Sequence, residues 1–251
     1  MPHYISNREY KNLKKHLAQE HKISPLSTYL KEIVYGGNDG IVTTFAVIAG
    51  FTGAQHMGNS SLPFVTVILF GLANLFADAT SMALGNFLSI RSEQDVYKSE
   101  KAKELREIQG NLNMEKEETI EILQMKGFSE EQAKDLTAIY ATNKDYWVDF
   151  MMSKELEISN PENDNPVLTG FATFVSFLFF GFIPLIPYIF FRDIPNIFIT
   201  SVAFTLFSLV LLGVLRYKVT KLHIIRSVGE IVLVGSLAAS VAYVVGLMFR
   251  N

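Results

Sequence analysis

Glu93, Glu100, Glu104 and Glu107 are spaced by seven, four and three residues. On a helix turning about 100° per residue they fall within about 60° of one another. Like charges stacked this way repel by a few tenths of a kcal/mol per pair. Lys98, Lys101 and Lys103 lie off that face and do not intersperse the signs. A bound cation would remove the repulsion. The following segments add Glu115 and Glu118, three apart, and then Asp149, Met151, Met152 and Glu155. Converging helices would gather these groups into one site.

The donor set limits the ion. No histidine occurs between Arg91 and Pro166, and the chain has no cysteine. Carboxylates, carbonyls, water and thioether sulfur remain. Carboxylate suits Mg, Ca, Mn and ferrous iron, and a thioether adds affinity for softer transition ions. Without imidazole or thiolate the site lacks the strongest preference for copper and zinc, and a labile ferrous or manganous site fits best. The alternative for Met151 and Met152 is hydrophobic packing beside Trp147 and Phe150.

A second set of polar groups lies in apolar surroundings. Asp39 stands in Tyr35-Gly-Gly-Asn-Asp-Gly40, at the head of the run Ile41 to Ala54. Asn74, Asp78, Met82 and Asn86 form a stripe at fourfold spacing within another apolar run. A carboxylate in hydrocarbon costs about 3 kcal/mol even on lenient insertion scales. Such groups persist where they meet an ion, a proton path or a partner charge. Asp39, Asp78 and Met82 could form a dehydrated way-station for a divalent cation, with metal binding displacing protons. The alternative is a polar helix–helix contact.

These residues must be positioned by long apolar elements. Of the 251 residues, 49% are hydrophobic, and they collect in blocks. The blocks are Ile33 to Ala54, Leu62 to Ile90, Val167 to Phe191, Ile194 to Leu215 and Ile224 to Phe249. A helical span needs about 20 apolar residues, so five transmembrane helices are expected. Between Arg91 and Pro166 lie 18 of the 25 acids but only 10 of the 22 Lys and Arg. That stretch reads as an acidic helical domain inserted between spans two and three; a solvated charged linker is the alternative. The expected organisation is a basic N-terminal arm (1–27), spans one and two (28–90), the acidic metal-binding domain (91–166) and spans three to five (167–251).

Lys and Arg near the spans set the orientation. They place the N-terminus, the acidic domain and the loop carrying Arg216, Lys218, Lys221 and Arg226 in the cytosol, with the C-terminus on the far side. Residues 7–21 read as a basic helix that could lie on an anionic leaflet. Span two should continue unbroken to Gly110-Asn111. Further helices are expected over Met114 to Met125, from Ser129 to about Thr142 behind a capping box, and over Lys144 to Ile158. Pro184 and Pro187 should kink span three, with a cavity expected near the kink. No nucleophile–base pair or phosphate-cradling glycine loop occurs, so an enzyme is not expected, and no nucleic-acid partner is expected.

The chain resembles the vacuolar iron transporter family. The resemblance runs from Ser27 to Asn251 and rests on three stretches: Glu32 to Gly50, Ser81-Met-Ala-Leu-Gly85 with Ser92-Glu-Gln-Asp95, and Phe150-Met-Met-Ser-Lys-Glu-Leu156. It implies a homodimer with five spans per subunit, exchanging ferrous or manganous ions for protons out of the cytosol. It assigns the translocation path to Asp39 and Met82. It assigns the cytosolic metal site to Glu104, Glu107, Glu115, Glu118, Met151, Met152 and Glu155; Glu100 is added from its helical face alone. Asp78 reads as a departure from the family pattern. The metal and the protons are cargo, with no resident cofactor expected. The membrane would be the cytoplasmic one in a prokaryote and the vacuolar one in a eukaryote. Two competing readings are a membrane-anchored metal sensor or buffer that transports nothing, and a channel indifferent to a pH gradient.

Overall fold

Ser24 opens the first described element: its hydroxyl accepts the backbone N–H of Ser27, and Pro25 follows at the first helical position, where its missing N–H costs nothing. The computed structural model describes residues 24–55, 64–191 and 195–248. The basic helix expected over 7–21 lies outside them. Among the described residues every regular element is helical: α1 (Pro25–Thr28), α2 (Leu30–Gln55), α3 (Phe64–Gly110), α4 (Leu112–Met125), α5 (Glu130–Tyr140), α6 (Lys144–Lys154), α7 (Pro166–Phe182), a 3₁₀ turn (Ile183–Leu185), α8 (Ile186–Phe190), α9 (Ile197–Thr220) and α10 (Ile224–Met248).

The chain divides into two compact units, one holding the described residues up to Leu84 and from Thr169 onward, the other Gly85–Leu168. In the first unit α2 packs against α9 and α10. Ile41, Ile48 and Ala49 of α2 are fully buried, as are Leu209 and Leu212 of α9. The glycines of α2 allow a close approach to α7. A Cβ on Gly40 would stand 2.5 Å from the carbonyl oxygen of Phe177, and one on Gly181 would stand 2.7 Å from that of Gly40. Small residues at helix crossings serve this purpose where no water drives association.

Among the described residues four helices are long and apolar enough to cross a bilayer by composition: Phe64–Gly110, Pro166–Phe190, Ile197–Thr220 and Ile224–Val245. The helix Leu30–Gln55 has the length, at 26 residues. It is not among the four, and Glu32, Asn38, Asp39 and its glycines are what dilute its hydropathy.

The kink expected at Pro184 and Pro187 takes the form of the 3₁₀ turn between α7 and α8. Proline at 184 has no N–H for the carbonyl of Phe180, four residues earlier. Ser208 Oγ donates to that carbonyl at 3.2 Å, and Ser201 Oγ donates to Pro184 O at 2.8 Å. Side chains from α9 thus satisfy these carbonyls at the break.

In the second unit α3 continues without a break to Gly110. Ser129 accepts from the N–H of Gln132 at 3.2 Å and the Gln132 side chain accepts from the N–H of Ser129 at 3.0 Å, the expected capping box. The second helix starts at Leu112 rather than Met114. The last ends at Lys154 rather than Ile158, because Glu157 adopts a left-handed φ of 53° that an α-helix cannot accommodate. The unit is closed by a core of Tyr97, Ile108, Ile122, Trp147, Val148, Met151 and Met152.

Candidate metal centre

Three carboxylates converge in the second unit from different elements. Glu104 lies in the last turns of α3. Glu115 lies in the first turn of α4, where the helix dipole favours negative charge. Glu155 caps α6, its N–H bound to Met151 O at 2.9 Å. Each can offer one oxygen such that all three lie within 4.8 Å of one another. That is close to the span of two metal–oxygen bonds of about 2.2 Å placed back to back. Glu104 and Glu115 are only 2% and 5% exposed, whereas Glu155 opens to solvent. Glu104 Oε1 and Glu115 Oε2 are buried without a hydrogen-bond partner. Buried oxygens of this kind are costly unless something fills their coordination.

The electrostatics agree with the geometry. Burial, then the charges of Glu155, Glu115 and Glu107 and a hydrogen bond with Glu115, raise the Glu104 carboxyl from its ordinary 4.5 to about 8. Burial followed by Glu118, Glu155 and Glu107 raises Glu115, although its bond with Glu104 works the other way. Burial followed by Glu118 and Glu107 raises Glu155. Without a cation the cluster therefore holds protons that ordinary carboxylates would have lost. Raised acids gathered in one place are the mark of a candidate functional site.

Glu107 and Glu118 act on the trio through charge but do not belong to the close group. Glu100 is likewise outside it. Asp149 is engaged elsewhere, accepting from Lys101 Nζ at 2.6 Å. Met151 and Met152 are at most 1% exposed and pack with Trp147. The Met151 sulfur lies 3.3 Å from Thr119 Oγ1, which also lies 2.7 Å from Glu115 O and accepts from Trp147 Nε1 at 2.8 Å.

In the first unit Asp39 and Asp78 lie close enough for their charges to repel. Asn74 Nδ2 donates to Asp78 Oδ2 at 2.7 Å. Met82 packs on the cluster that includes Ile48, Leu75 and Phe177. Asn38 and Asp39 line a cavity of about 680 Å³ between α2, α9 and α10, together with Lys31, Arg216 and Glu230. Arg216 and Arg226 both bind Glu230, at 2.7 and 2.9 Å.

A model of the VIT family matches residues 30–247, nearly the whole chain. The chain belongs to the VIT family. It is similar to the Vacuolar iron transporter of Plasmodium falciparum, 32% identical over 251 residues that cover 96% of this chain and 89% of that one. The Toxoplasma gondii Vacuolar iron transporter is 32% identical, covering 95% of this chain and 81% of its own. Vacuolar iron transporter 1 of Arabidopsis thaliana is 31% identical over 214 residues, 85% of this chain and 83% of its own. With four apolar helices of spanning length, this VIT-family chain is an integral membrane protein.

Thr119 and Trp147 escaped the sequence reading as hydrogen-bond partners of site residues. Asn74 was visible as part of the fourfold stripe. The spacings of Glu115 with Thr119 and of Trp147 with Met151, each one helical turn, were a signal that could have exposed the other two.

Proposed function

We propose that this VIT-family chain carries ferrous iron, and manganese as a second cargo, out of the cytosol in exchange for protons. The observation that carries the reading is the group Glu104, Glu115 and Glu155, with two buried carboxylate oxygens left without partners. A divalent cation satisfies those oxygens, and its arrival expels the protons that burial and mutual repulsion retain. Oxygen ligands, joined by thioethers from Met151 and Met152, would suit a borderline ion such as Fe²⁺. The acidic unit thus acts as a cytosolic collector.

Passage through the bilayer is assigned to Asp39, Asp78 and Met82. The helix Leu30–Gln55 serves as the fifth span: 26 residues reach about 39 Å, enough for the hydrocarbon core. Its modest hydropathy comes from the residues the cargo needs. The working unit is a homodimer, as the family resemblance implies, with Glu107, Glu118 and Glu100 supplying negative potential around the collecting site. The relatives' names, vacuolar iron transporter, support iron as the cargo.

The test is ferrous uptake into liposomes holding the purified protein, with and without a pH gradient, counting protons released. Gradient-dependent uptake coupled to proton release is expected, and Asp39→Ala should abolish it while the protein stays folded. Flux indifferent to the gradient would replace the antiporter with a channel. Binding without flux in a folded protein would replace it with a sensor or buffer.

A further inference from the structure

Thr119 joins the two elements that carry the soft and hard ligands of the candidate site. It sits one turn after Glu115 on α4, and its hydroxyl touches Glu115 O at 2.7 Å and Met151 Sδ at 3.3 Å. Trp147, one turn before Met151 on α6, donates its Nε1–H to the same oxygen at 2.8 Å. Thr119, Trp147 and Met151 are all fully buried. The two helices therefore meet through Thr119, which bonds Met151 and accepts from Trp147.

A hydroxyl has one proton, and here it has two acceptors. The indole fixes the oxygen and, by donating to it, strengthens the hydroxyl as a donor. The proton can turn to the Glu115 carbonyl, which leaves the sulfur lone pairs free, or to the sulfur, which occupies one of them. Methionine has three rotatable side-chain bonds and settles into many shapes of cavity. A thioether held from one side by a hydroxyl keeps one rotamer, and a metal that takes it pays less ordering entropy.

We propose that Thr119, supported by Trp147, is a positioning residue that holds the Met151 thioether as a ligand and thereby sets the preference of the site for softer divalent ions over oxygen-seeking ones. The proposal rests on the reading of Glu104, Glu115, Glu155 and Met151 as a metal site. A metal on one sulfur lone pair leaves the other to accept the Thr119 hydroxyl, and the indole that donates to the same oxygen senses the change. Trp147 is the single tryptophan of the chain, so tryptophan emission comes from this one position.

The experiment uses the full-length protein in detergent, stripped of metal, titrated separately with Cd²⁺, which is soft and does not quench by paramagnetism, and with Mg²⁺, which takes oxygen ligands. Calorimetry gives the affinities and Trp147 emission gives the spectral shift. Thr119→Val should weaken Cd²⁺ binding about tenfold, the low end for a residue that orients a ligand. It should leave Mg²⁺ binding within about twofold and abolish the Cd²⁺-induced shift. Thr119→Ser, which keeps the hydroxyl, should restore both. Equal losses for the two ions, no loss, or no rescue by serine would overturn the proposal. If Thr119→Val does not fold, Trp147→Phe read by calorimetry replaces it, with the same selective loss expected and an equal or absent loss overturning the idea. Met151→Leu and Glu104→Gln separate the two levels. If neither alters Cd²⁺ binding, the metal site itself is wrong; if both do and Thr119→Val does not, only the positioning role is.

Discussion

Asn74 and Asp78 form a side-chain clasp within one helix, with Nδ2 2.7 Å from Oδ2 and the two residues a single turn apart. Asp39 on α2 is the other carboxylate set in an apolar helix. The amide donor offsets part of the cost of holding a second carboxylate there. Asn74→Leu should therefore lower the melting temperature in detergent and reduce ferrous uptake. Hydrogen bonds to charged groups contribute about 1.5–3 kcal/mol. With Asp78→Asn already in place, Asn74→Leu should cost little, because the charge it served is gone. Equal costs in both backgrounds would show that the clasp carries no energy.

The acidic unit should lose stability as pH rises when no metal is present. Glu104 titrates at about 8 in the folded chain against an ordinary 4.5. A folded pKa above the unfolded one means that the unfolded state gives up its proton first. The contribution of this group is thus intact below about 4.5 and is lost as pH climbs through about 8. The loss amounts to a few kcal/mol, and the raised Glu115 and Glu155 add to it in the same direction. Thermal unfolding in chelator should show a falling melting temperature between about pH 5 and about pH 8. Glu104→Gln, neutral throughout, should flatten that slope, and an unchanged slope would remove Glu104 as its source.

Local chemistry made much of the fold legible in the sequence. Ser129 with Gln132 announced a helix start, Gly110-Asn111 a helix end, and Pro184 with Pro187 a break. These are short-range rules of hydrogen bonding and sterics, and they act the same in any fold. The serines that close the proline break are 17 and 28 residues away from their carbonyls, so the filling of that break could not be foreseen. The first helix was harder because Asn38 and Asp39 pull its composition away from that of a span. The face shared by Glu93, Glu100, Glu104 and Glu107 was legible, but which of them meets Glu115 and Glu155 depends on how α4 and α6 fold back. Asp149 reads as a ligand by spacing, yet Lys101, 48 residues earlier, already holds it.

Binding of one divalent ion to the acidic unit should release protons in a pH-dependent number. At pH 7 Glu104 is largely protonated, since its carboxyl titrates at about 8. An ion that takes the Glu104 oxygen must displace that proton, so about one should leave per ion at pH 7 from this group alone. At about pH 9 the release should fall toward zero, and affinity should rise between about pH 6 and about pH 8 and then level. Calorimetry of Mn²⁺ binding in buffers of different ionisation enthalpy counts the protons. A count that does not change with pH would mean that Glu104 does not meet the ion.

Gly40 and Gly50 lie on the same helix and should respond oppositely to alanine. A methyl at Gly40 would stand 2.5 Å from the Phe177 carbonyl oxygen, 3.1 Å from its carbon and 3.2 Å from its Cα. All three are backbone atoms of α7, which cannot swing aside as a side-chain end can. Overpacking of this kind costs about 1–3 kcal/mol where the surroundings yield, and more where they do not. A Cβ at Gly50 would meet nothing within 4 Å, and alanine there gains about 1 kcal/mol of helix propensity. Gly40→Ala should lower the melting temperature in detergent and, by pushing α2 away from α7 next to Asp39, impair uptake. Gly50→Ala should leave both intact or raise the melting temperature slightly. Matching behaviour of the two variants would mean that the backbone contact between α2 and α7 does not hold the transport residues in place.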